Sequence, residues 1–242
     1  MRRHRLEAGV NARPGFIGSG ILWLVVTCWT AGVHSQVAPS AGEIAKYSGL
    51  LAAASRGHAD AIRSTAENGA DLDVRDAHGR TPLHVAAYGA HHAAMRALIA
   101  AGADPNALED DRYDIITIAA VADDLETLET ALSLGTRADN ITSPYDGTAL
   151  IASAHLGHVE IVRALVDAGA PVDHVNNLGW TAVIEAIVLG DGGPRHVETL
   201  DILIRAGASL QLADRDGRTP LELARLHGHD TMVQMLIRAG AQ

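Results

Sequence analysis

The sequence predicts an all-α protein: a solenoid of about six helix-turn-helix repeats with projecting β-hairpin or turn fingers. Three observations predict it. A glycine closes every second helix, at Gly69, Gly102, Gly135, Gly169, Gly207 and Gly240, with intervals of 33, 33, 34, 38 and 33 residues. Residues whose side-chain oxygen can cap a helix N-terminus recur in the same register at Ser48, Thr81, Asp114, Thr148, Thr181 and Thr219. The turn between paired helices returns at Gly57, Ala90, Asp123, Gly157, Gly190 and Gly228. The markers place repeats at approximately 47–76, 77–109, 110–143, 144–176, 177–214 and 215–242. A single pair of short helices cannot bury its own apolar face, so the units must stack.

The elements follow in order. Residues 1–35 read as a signal peptide: a basic segment ends near Arg13, an uncharged stretch runs from Phe16 to Val33, and small residues precede Gln36. The alternatives are an uncleaved N-terminal anchor, or a lipoprotein modified at Cys28. Each of these carries the remaining chain across a membrane, and a periplasmic location is expected. Cys28 is the only cysteine, so the exported part can form no disulfide and supply no thiolate to a metal. Residues 36–46 read as a flexible leader, and 47–242 as the repeat domain.

Repeat two is the most regular. Thr81 caps, Pro82 takes the first helical position where its missing N–H costs nothing, Leu83 and Ala86-Ala87 pack, and Gly102 ends the second helix. Thr81-Pro82-Leu83-His84-x-Ala86 resembles the signature of the ankyrin repeat family, and Thr219-Pro220-Leu221 repeats its start in the last unit. Repeat three departs most, with Asp114-Ile115-Ile116-Thr117 at the helix start and Arg112 in place of the turn glycine. In repeat four, Ile161, Val162, Leu165 and Val166 form one apolar helix face. Repeat five carries five extra residues within Gly190–His196, expected as a loop between its helices. The finger tips have Asp-x-x-Gly or Asn-x-x-Gly turn chemistry at Asp76–Gly79, Asn176–Gly179 and Asp214–Gly217.

The net charge is −10, and residues 36–242 hold 15 basic and 28 acidic side chains. Such a surface repels nucleic acid and anionic membranes, so neither is an expected partner. Of the thirteen histidines, His84 lies in the helix-start motif and His58, His91, His92, His158 and His229 lie at the inter-helix turn, spaced by the repeat period and not as ligands, so no metal site is expected. No nucleophile, phosphate-loop or dinucleotide motif appears, no cofactor is implied, and no enzymatic activity is expected. Asn140-Ile141-Thr142 matches a glycosylation acceptor.

The resemblance implies a protein partner held in a concave groove. The expected anchors are Tyr88, Tyr113, Tyr145 and Trp180, with Glu109, Asp110, Asp111 and Asp146 selecting a basic surface. The chain resembles small ankyrin proteins of Gram-negative bacteria that carry a signal peptide. The second reading is a secreted effector or inhibitor acting on a host or neighbouring-cell protein.

Overall fold

The caps decide where helices start. In the computed structural model, which describes residues 36–242, the side chains of Thr81, Asp114, Thr148, Thr181 and Thr219 each accept from the backbone N–H three residues on. Ser48 starts its helix without such a bond. The expected signal peptide at 1–35 lies outside the described residues. Thirteen helices form among the described residues. A short α1 (Ala41–Ile44) precedes six pairs: α2 (Gly49–Ser55) with α3 (Ala59–Glu67), α4 (Pro82–Tyr88) with α5 (His92–Ala101), and α6 (Ile115–Val121) with α7 (Leu125–Ser133). Then come α8 (Ala149–Leu156) with α9 (Val159–Asp167), α10 (Ala182–Val188) with α11 (Pro194–Arg205), and α12 (Pro220–Leu226) with α13 (Asp230–Arg238).

First helices pack on first helices (α2, α4, α6, α8, α10, α12 in sequence) and second helices on second helices. One continuous core results. Leu83, Ile116, Leu150, Ile184 and Leu221 come from the first helices, and Leu98, Leu128, Leu165, Leu203 and Leu236 from the second. Burying each such side chain contributes roughly 1.5–3 kcal/mol, and the sum sets the direction of stacking.

The fingers are tight turns without strands. Backbone hydrogen bonds close them, as in Asp76 N–H to Arg80 O at 3.1 Å with Gly79 N–H to Asp76 O at 3.2 Å, and Asn176 N–H to Trp180 O at 3.0 Å with Gly179 N–H to Asn176 O at 2.9 Å. The leading carboxylate or amide oxygen then accepts from the second and fourth N–H: Asp76 Oδ1 from His78 and Arg80, and Asp214 Oδ1 from Asp216 and Arg218. Among the described residues the one β-type pairing is an isolated bridge between Thr142 and Gly147. The remaining bonding capacity joins finger to finger. Asp110 N–H donates to His78 O, Ser143 N–H to Arg112 O, and Asn177 N–H to Tyr145 O, at 3.1, 3.0 and 2.9 Å.

Two local readings change. Residues 40–46 are not a loose leader: Ser40 and Glu43 make a reciprocal capping box on α1. In repeat five, Pro194-Arg195-His196 belong to α11, so part of the excess lengthens a 12-residue helix. The left-handed turn residue there is Gly192, not Gly190.

Gly102 has φ +107° at the C-cap of α5, a region where a β-branched residue is strained. Gly102→Val is expected to destabilise by about 1 kcal/mol or more. Gly79 has φ +71°, and a Cβ there would lie 2.9 Å from the Asp110 backbone nitrogen in the next finger. Gly79→Ala is therefore expected to lower the thermal midpoint more than Ala at Gly169, where nothing lies within 4 Å. Equal midpoints for these two variants contradict the finger stacking.

Candidate functional site

The seventh residue after each helix-start cap lies at the end of a first helix, beyond the turns that bury small side chains against the second helix. These residues are Ser55, Tyr88, Val121, His155, Val188 and Leu226. The first five are half-buried, and Leu226 is 60% exposed. Because adjacent first helices touch, the positions form one row across the stack, apolar over most of its length. His155 is its one imidazole.

The predicted aromatic anchors divide. Tyr113 is only 6% exposed and belongs to the core, so it is a packing residue and not an open anchor. It sits where the third finger turns into α6, and its carbonyl accepts from His84 of the second repeat. Tyr88 is half-buried beside Ala38, Pro39 and Ile44, around a crevice of about 90 Å³. The arm preceding α2 thus reaches the first end of the row. Tyr145 and Trp180 are half-buried on successive fingers. Tyr47 donates to Asp76 at 2.6 Å.

The predicted acids divide too. Glu109 is buried, accepts the Tyr113 N–H at 3.0 Å, and is raised by burial. It completes a turn and is not a docking charge. Asp146 pairs with Arg112 at 2.7 Å across two fingers. Asp110 and Asp111 remain exposed at the third finger tip. Farther along, Asp124 caps α7 and Asp123 pairs with Arg195 at 2.9 Å, which ties repeat three to repeat five.

The histidines stitch repeats together. His84 Nε2 donates to Tyr113 O at 3.1 Å, which leaves Nδ1 to accept from the Thr81 N–H at 3.2 Å. Burial lowers its titration to about 4. One bond closes the helix-start turn and the other ties it to the next repeat. His91 donates to Ser55 O at 3.1 Å, His158 to Ala120 O at 2.8 Å, and His196 to His155 O at 2.9 Å. Each satisfies a carbonyl near the C-terminus of the preceding first helix, where carbonyls have no intrahelical donor. Asn140, the glycosylation candidate, donates to Asp114 Oδ2 at 2.8 Å and Asn106 Oδ1 at 3.2 Å. Its amide is committed to the fold.

Sequence reasoning passed over Glu185 and Arg80. Glu185 is fully buried in α10, and Asn176 donates to its Oε1 at 3.0 Å. A signal existed: a carboxylate stands where the other repeats carry Val85, Ile118, Ala152 and Leu223. Arg80 is 1% exposed, and donates to Asp76 Oδ2 at 2.7 Å and to Glu43. Among the described residues, no three His, Cys, Asp or Glu side chains converge as metal ligands. No described helix is long and apolar enough to cross a membrane.

The family described as "Ankyrin repeats (3 copies)" matches residues 24–109 and 116–214, and a single "Ankyrin repeat" matches 216–242. The chain is 36% identical over 193 residues to the ankyrin repeat protein YahD of Escherichia coli, covering 79% of this chain and 95% of that one. A crystal structure of an ankyrin repeat domain from Acinetobacter baumannii is similar at 40% identity and a TM-score of 0.75, over 80% of this chain and 98% of that chain. The ankyrin repeat domain of Bcl-3, from the IkappaB family, superposes with a TM-score of 0.72 at 26% identity, over 81% and 88% of the respective chains.

Proposed function

Since this chain belongs to the ankyrin repeat family, we propose that it works as an exported protein–protein interaction module, with a partner protein bound along the face formed by its first helices. The observation that carries this reading is the row Tyr88, Val121, Val188 and Leu226. It runs through the stack at one register position, is apolar except at His155, and is left partly open. Apolar floors rimmed by polar fingers suit protein recognition, in which a few buried anchors supply most of the affinity. Binding of this kind is passive and requires no cofactor.

Asp110 and Asp111 at the third finger tip, next to Tyr145 on the fourth, favour a basic patch on the partner. Trp180 extends the rim to the fifth finger. Export rests on the basic-then-apolar character of residues 1–35, and the periplasm is the proposed compartment.

The test combines location with capture. Fractionation is expected to place the native protein in the periplasm. Val188→Asp and Leu226→Asp, both at partly open positions, are expected to abolish capture of envelope proteins retained by the parent, with far-ultraviolet circular dichroism unchanged. Asp111→Lys is expected to weaken it by about tenfold, equivalent to about 1.4 kcal/mol. Capture indifferent to all three substitutions contradicts the assigned face.

A further inference from the structure

Two departures from the repeat pattern meet at one side chain. The first is Glu185, the carboxylate in an apolar register position. Its Oε2 is buried without a hydrogen-bond partner and lies 3.6 Å from His155 Nδ1. The second is the excess in repeat five, which brings His196 to the same place. His196 Nε2 holds the His155 carbonyl, and its Nδ1 pairs with Asp191 at 2.9 Å. His155 therefore stands between a buried acid on α10 and an imidazole on α11, within the half-open row.

We infer that Glu185 and His155 form a proton-operated latch between repeats four and five, closed while the pair carries one proton and loosened by loss of that proton or gain of a second.

The argument is electrostatic and geometric. A fully buried carboxylate with one amide donor and no cation in hydrogen-bond contact carries a desolvation cost of several kcal/mol. Glu185 keeps its proton instead, and burial raises its titration well above the ordinary carboxylate value. His155 is held neutral, lowered to about 4 by burial and by His196 and His158.

Other charged groups near the pair are already engaged or exposed. His158 faces Asp123 at 3.8 Å, Asp123 is paired with Arg195, and Asp191 with His196. On the far side of α10, α12 presents Glu222 in its own capping box and the exposed Arg225. On α9, Glu160, Arg163 and Asp167 are exposed, and α6 has no ionisable side chain.

In alkali, the proton leaves Glu185 Oε2 for solvent, and a carboxylate remains inside the α8–α10 contact. In acid, a proton from solvent adds to the His155 imidazole, placing a cation beside a neutral carboxyl and two other imidazoles. Either change favours opening of that contact. The folded acid binds its proton more tightly than the unfolded one, so its contribution falls as pH rises from the ordinary glutamate range up to the folded value. The folded imidazole binds more weakly, so its contribution falls as pH drops from about 6.5 toward 4.

The test is denaturant unfolding of the full chain from pH 4 to 10. Glu185→Gln keeps an acceptor for Asn176 and cannot ionise. The unfolding constants of parent and variant are expected to run parallel below the ordinary glutamate range. From there up to Glu185's folded titration the parent weakens relative to the variant by up to about tenfold per pH unit, and above it the two run parallel again. His155→Gln is expected to flatten the acid limb by one proton and leave the alkaline limb in place. Should either variant fail to fold, infrared spectra of parent protein labelled with ¹³C-carboxyl glutamate decide. A glutamic-acid C=O band that persists at pH values where the ordinary glutamates have ionised supports the latch, and its absence overturns it. Superimposable pH profiles for the parent and Glu185→Gln also overturn it.

Discussion

Arg80→Leu is expected to destabilise the protein by about 3–5 kcal/mol, the range for breaking a buried ion pair by removing one partner. Arg80 is the largest fully buried side chain among the described residues. Its Nε donates to Asp76 Oδ2, and its terminal nitrogen to Glu43. Asp76 also accepts from Tyr47 at 2.6 Å and from two finger N–H groups. Burial raises the Asp76 carboxyl, and these donors together outweigh that effect and hold it below its ordinary value. Ser40 holds Glu43 at about 2, through its hydroxyl first and its N–H second. Both carboxylates are therefore ionised at neutral pH, and leucine at position 80 removes the cation they surround. It also frees the arm at α1 from the Asp76–Gly79 finger. Arg218 supplies the control. It makes the same i,i+4 pair with Asp214 in the last repeat, but its side chain is 41% exposed, so Arg218→Leu is expected to cost below about 1 kcal/mol. Urea midpoints measured side by side check the contrast, and equal losses contradict it.

His84→Ala is expected to cost about 3 kcal/mol at pH 7. The Tyr113 carbonyl loses its donor and the Thr81 N–H loses its acceptor in a site closed to water, and a small cavity opens. The pH dependence identifies the cause. Folded His84 resists protonation until about pH 4, whereas the unfolded imidazole takes a proton near 6.5. The unfolded chain therefore binds more protons across that window, and stability falls as the medium is acidified through it. Over the full window this amounts to about 3 kcal/mol for one residue. The alanine variant is expected to lose one proton's worth of this slope but not all of it, because His155 titrates low as well. Calorimetric midpoints at half-unit steps from pH 7 to 4 resolve the difference, and parallel curves contradict it.

Much of the fold was legible because its signals are local. A threonine caps through its own backbone neighbourhood, and a glycine at a helix end reports its own φ. Thr81, Thr219, Gly102, Gly135, Gly169 and Gly207 therefore act where the repeat register places them. Arg112 also takes a turn glycine's left-handed conformation, at φ +65°.

The site was less legible because exposure depends on what the neighbouring repeat covers. Tyr113 and Tyr145 both lie next to finger turns, yet the first is sealed in the core and the second half-open. Glu109 and Asp110 are adjacent, yet one completes a turn and the other faces solvent. The row on the first helices is an arithmetic consequence of the caps, seven residues on from each. Aromatic type alone does not mark it, because four of its six members are not aromatic or imidazole side chains. Glu185 was visible as a carboxylate in an apolar position. Its partner His155 was not, because their meeting depends on how α8 packs against α10.

Site-specific photocrosslinking tests recognition through the first-helix face. A photoreactive amino acid at position 188 lies in the half-open row; one at position 237, which is 46% exposed on a second helix, lies outside it. Irradiation of intact producing cells is expected to give a discrete protein adduct from position 188 and none from position 237. An adduct from position 237 with none from 188 contradicts the account.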